Sequence, residues 1–114
     1  MPILVAVRDL VFRSKIHAAA ERLGVPVRLA PRGTPLADAA RELGEGTLLV
    51  DLGEPGVLEG VRAAKGVARV RVVGFLGHLQ AELMRQAEEA GVDEVLTRGQ
   101  FVQRLDELLR SAAT

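Results

Sequence analysis

Five short apolar runs, each followed by a stretch with helical spacing, constrain this chain more than any other feature. Ile3 to Val7, Val25 to Ala30, Thr47 to Asp51, Arg69 to Val73 and Glu94 to Thr97 have the length and β-branched content of strands. Pro26 near the start of the second run removes a ladder donor and favours the sheet edge there. Between the runs, apolar residues recur every three or four positions. Phe12, Ile16, Ala19, Ala20 and Leu23 mark a helix over Val11 to Leu23, ended by Gly24. Thr34 and Pro35 read as a cap and first-turn proline for a helix to about Leu43. A weaker helix follows Pro55 to about Lys65, with Gly66 ending it. Another spans His78 to Ala90 with Leu79, Leu83, Ala87 and Ala90 on one face, and a last one spans Gln100 to Arg110. Strands alternating with helices predict one α/β domain over residues 1–114. It is a three-layer sandwich whose five-stranded parallel sheet has the order 2-1-3-4-5, the flavodoxin-like arrangement.

The segment Thr47 to Gly56, TLLVDLGEPG, matters most for function. An apolar run buried in a parallel sheet ends in one acid, Asp51, at the carboxyl edge where open α/β sheets place their ligands. In the expected strand order, Arg8 and Asp9, Asp51, Gly74 and Phe75, and Thr97 and Arg98 end side by side.

Composition narrows the classes. With 114 residues, 48% hydrophobic and 26% charged, the chain can bury one core. Formal net charge is +0, so no overall field draws it to nucleic acid or anionic lipid. With three phenylalanines and no Trp or Tyr, base-stacking platforms are not expected. Zero cysteines remove disulfides, thiolate nucleophiles and cysteine metal sites. The start MPILVAVRD carries no signal-peptide pattern, and no apolar run has membrane-span length, so a cytoplasmic protein is expected. Arginine in place of lysine, with abundant Ala, Leu, Val and Gly, points to a GC-rich and thermophilic source.

On these residues the chain resembles the receiver domains of two-component response regulators. Asp51 and Pro55 have the D-x-x-x-P spacing of that family, and AGVDEVLTR leads into the fifth strand as it does there, with Arg98 where receivers have a lysine. The resemblance implies a signalling module whose strand-three aspartate accepts phosphate, with Mg²⁺ held partly by two acids after strand one. The departures point elsewhere. The acidic pair is Arg8-Asp9, or Val7-Arg8 in a shifted register, and a guanidinium near a dication is unfavourable. Gly74 stands where receivers carry a hydroxyl residue, with Phe75 expected to fill the space left, and Arg98 replaces a compact ammonium with a planar fork. The expected form is thus a degenerate receiver, or pseudo-receiver. Asp51 is then the remnant of a phosphoacceptor, paired with Arg98 or Arg8, or capping its own turn through Gly53 or Glu54.

Other motifs are weaker. Gly74, Gly77 and His78 form a candidate anion-binding loop, but the segment matches no complete phosphate-loop pattern. His78 has no second ligand at metal spacing, and His17 reads as a solvated helix residue. Glu82, Arg85, Glu88 and Glu89 read as an exposed helix face. Ser14 lacks the strand-turn-helix elbow of a hydrolase nucleophile. The expectation is a non-enzymatic regulatory module with no cofactor, no metal and no catalytic residue. It binds a protein partner or a second copy through helix four, strand five and helix five, where Phe101 or Val102 adds to an apolar patch beside Leu96, and it engages no nucleic acid or membrane. The alternatives are a small-ligand or nucleotide-binding protein that uses Asp9, Asp51 and Arg98, and a phosphoacceptor at Asp51.

Overall fold

Parallel pairing follows from the helical connection after each strand. In the computed structural model, which describes residues 1–78 and 80–114, the sheet has the order β2-β1-β3-β4-β5 with every pair parallel. The strands are β1 (Ile3–Ala6), β2 (Arg28–Leu29), β3 (Glu45–Asp51), β4 (Arg69–Leu76) and β5 (Glu94–Thr97). The helices are α1 (Leu10–Leu23), α2 (Leu36–Leu43), α3 (Val57–Val67), α4 (Ala81–Ala90), α5 (Arg98–Gln103) and α6 (Leu105–Ala113). The expected sheet order and three-layer architecture are those observed.

Alternation along the strands divides the core between the two faces. Val5, Val7, Leu49, Val73, Phe75 and Leu96 pack with Ile16 of α1 and with Phe101, Leu105 and Leu109 of α5 and α6. Leu4, Leu48, Val50, Val72 and Leu76 pack with Ala40, Val61, Ala64 and Ala87 of α2, α3 and α4. Among the described residues, no helix is long and apolar enough to cross a membrane.

Several boundaries differ from the sequence reading. The second run forms only a two-residue edge strand. Pro35, not Thr34, is the N-cap of α2, and no side chain caps that helix. Gly66 lies inside α3, which continues to Val67. β4 extends past Gly74 to Leu76, because β3 and β5 pair with it on both sides. The fourth helix begins at Ala81 rather than His78. Leu79, expected on that helix face, lies outside the described residues. The expected last helix is two, broken at Arg104, whose ψ of 5° departs from helical geometry.

Candidate functional site

Register puts Asp51 level with Phe75 of β4, so the two share one sheet face. Extending the β1 ladder by one step brings Val7, a core residue, level with Asp51 on the other side. Asp51 is only 6% exposed. Its Oδ1 accepts the Gly53 N–H at 2.9 Å, closing the turn after β3. Its Oδ2 lies 4.0 Å from a terminal nitrogen of Arg98. The Arg98 side chain is 48% exposed.

An aromatic column lies beneath this pair and uses all the aromatic side chains of the chain. Phe12 stacks on Phe75 with ring centroids 4.7 Å apart, and Phe75 meets Phe101 at 4.7 Å. The Arg98 guanidinium sits 5.5 Å from the Phe12 ring centroid, a cation–π distance. Arg98 thus bridges a buried acid and an aromatic face. Its planar delocalised fork suits both contacts better than an ammonium would.

The remaining acids at this edge are already engaged. Asp9 caps α1, its Oδ1 accepting from Val11 at 2.9 Å and Phe12 at 3.1 Å. Glu54 accepts the Arg8 N–H at 2.8 Å, with the Arg8 guanidinium 4.0 Å from its other oxygen. Arg8 therefore pairs with Glu54. Mg²⁺ asks for several hard oxygens in near-octahedral order. Here one acid is a cap, one is tied to an arginine, and Asp51 faces a guanidinium. Among the described residues, no three His, Cys, Asp or Glu converge as a ligand set. The residues present do not fit Mg²⁺.

Some expected placements change. The residue level with Asp51 is Phe75 rather than Gly74. Phe75 does not fill the space beside Gly74, since it faces the opposite core cluster. Leu52 fills it instead: a Cβ on Gly74 would stand 2.5 Å from Leu52 Cγ. Gly74 is a buried strand residue, so only Gly77 and His78 of the candidate loop lie in the turn after β4, both exposed. Thr97 forms a capping box with Gln100, its Oγ1 accepting at 3.0 Å, and so starts α5 directly after β5. Phe101 is buried and Val102 is 41% exposed, but Leu96 is buried, so Val102 has no apolar patch around Leu96. His17 and Ser14 are exposed, and Arg85 pairs with Glu82 and Glu89.

Sequence reasoning missed Glu54, Phe12 and Leu52. An acid three residues after Asp51 beside an arginine-bearing edge was a visible signal for Glu54. The scarcity of aromatics was a weaker one for Phe12.

No protein-family model and no curated protein matches the chain. Solved structures do match. A response regulator from Thermotoga maritima superposes with a TM-score of 0.77 at 16% identity, over 99% of this chain and 98% of that one. A response regulator from Burkholderia pseudomallei, solved with a phosphorylated aspartic acid, gives 0.76 at 20% identity over 100% of this chain and 67% of that one. A response regulator from Hahella chejuensis gives 0.75 at 15% identity over 100% and 96%. The fold is that of response-regulator receivers.

Proposed function

We propose that this chain is a receiver-like regulatory module that works without phosphorylation and signals by binding a protein partner. The occupied edge around Asp51 carries this reading. The carboxylate is buried, one oxygen is held by the Gly53 N–H, and the other faces Arg98. Phosphoryl transfer depends on positioning and charge neutralisation. Arg98 offers a fixed charge in place of a metal, and no hydroxyl stands level with the acid. The module then holds one state permanently, with Arg98 over the aromatic column as its latch.

Mg²⁺ titration followed at the backbone amides of Asp51, Leu52 and Gly53 tests this reading. No saturable shift is expected there. Saturable shifts centred on these amides would overturn it.

The partner surface belongs to the same proposal. Val102 on α5 offers the exposed apolar contact of the α4–β5–α5 face, while Leu10 and Val11, 66% and 63% exposed, form a second apolar pair at the start of α1. The α4–β5–α5 reading expects Val102→Glu to abolish self-association or partner capture while Val11→Glu leaves it intact. The reverse pattern would move the interface to the carboxyl edge.

A further inference from the structure

A cleft of about 410 Å³ opens at the carboxyl edge between the starts of α2 and α3, against Ala6 of β1 and Val50 of β3, with neither Asp51 nor Arg98 in its lining. It lies where the chain leaves β1 toward one face of the sheet and β3 toward the other, the crossover point at which open α/β sheets place ligands. Its volume is within the range of about 300–1,000 Å³ typical of small-molecule sites. Arg8, Arg13 and Arg32 line it against Glu54 and Glu59. Glu54 is already held by Arg8, and among the described residues Arg13 and Arg32 have no ion-pair partner. Glu59 stands against these two guanidiniums, so the excess is one positive charge, and it comes from arginine, whose fork matches phosphate oxygens in pairs.

The rest of the lining is consistent with that charge. α2 and α3 both begin at the cleft, with Pro35 and Gly56 as N-caps that supply no side-chain acceptor. The Val57 N–H donates to the Glu54 carbonyl, and the other first-turn amides of the two helices add partial positive charge beside the arginines. Leu36, Val57, Pro31 and Pro55 give apolar wall.

The geometry points to a binding site for a small phosphate ester with a compact apolar body. The phosphate lies among Arg13, Arg32 and the two helix starts, and the body lies against Leu36 and Val57. The site uses neither Asp51 nor Arg98, so it stands independently of the reading given above. It would give an unphosphorylated module a soluble input.

Phenyl phosphate, inorganic phosphate and phenol, each titrated into the ¹⁵N-labelled chain, test the assignment. Phenyl phosphate should shift the amides of Leu36, Ala37 and Val57 to Gly60 saturably. It should bind about tenfold more tightly than inorganic phosphate, because the ring buries apolar surface. Phenol should not bind. Arg13→Gln with Arg32→Gln should remove the shifts while the rest of the spectrum stays native, and Arg32→Gln alone should weaken binding if the double variant fails to fold. Asp51→Asn should leave binding unchanged, which separates this site from phosphoacceptor chemistry. Absence of saturable shifts, equal affinity for inorganic and phenyl phosphate, or binding indifferent to both arginine substitutions would overturn the proposal.

Discussion

Asp51 and Arg98 face each other at 4.0 Å, with the arginine half in solvent. An ion pair of that kind contributes about 0–1 kcal/mol, far less than a desolvated one. A double-mutant cycle with Asp51→Asn and Arg98→Ala should therefore give a coupling of at most about 1 kcal/mol in urea unfolding. A coupling of several kcal/mol would mean that the pair is shut away from water. Asp93 makes stronger contacts. Its Oδ2 accepts from Lys65 at 2.7 Å and from the Val72 N–H at 2.7 Å, tying the start of β5 to α3 and β4. Burial pushes this carboxyl up, but the Lys65 hydrogen bond, the Val72 N–H and the charges of Lys65 and Arg71 together outweigh it and hold the carboxyl below its usual value. Because the folded value is depressed, the stabilisation is complete above the unfolded value of about 3.9 and is lost as pH falls through the folded one. The stability gap between wild type and Asp93→Asn should stay constant from neutral pH to about 4 and narrow below it. Asp93→Ala, which also orphans the part-buried Val72 N–H, should cost about 1–3 kcal/mol.

At the scale of elements, β4 determines what the edge can become. Its extension to Leu76 brings Phe75 level with Asp51 and Gly74 under Leu52. Gly74→Ser would drive a Cβ to within 2.5–2.7 Å of three Leu52 carbons. That overpacking should lower stability by about 1–3 kcal/mol, and Leu52→Ala should recover part of it. The capping box makes a separate demand on α5: Thr97→Ala should cost about 1 kcal/mol in thermal or urea melts. The strand runs were legible because burial on both faces leaves nearly continuous apolar sequence, as in Leu48 to Val50. The length of β4 was hidden because Gly74 reads locally as a breaker, while its place in the ladder depends on β3 and β5. The break at Arg104 was hidden too, since Leu105, Leu108 and Leu109 continue a helical pattern across it. Asp51 and Arg98 were legible as edge residues from strand order alone. The Glu54–Arg8 contact was not, because the Glu54 carboxylate accepts from a backbone N–H 46 residues away in the chain.

Across the whole molecule, two neighbouring regions of one sheet edge have separate chemistry. Around Asp51, the buried carboxylate faces an arginine that also meets a column of phenylalanines. Between the starts of α2 and α3, where β1 and β3 diverge, an arginine-lined cleft stays open. The fold is that of a receiver, and on the proposed reading the edge around Asp51 is arranged for permanence rather than for turnover. Incubation with acetyl phosphate and Mg²⁺ followed by intact-mass measurement separates the two behaviours. The chain should keep its unmodified mass, identical to Asp51→Asn treated in the same way. A phosphate adduct on the wild-type chain that is absent from Asp51→Asn would contradict a permanently closed edge.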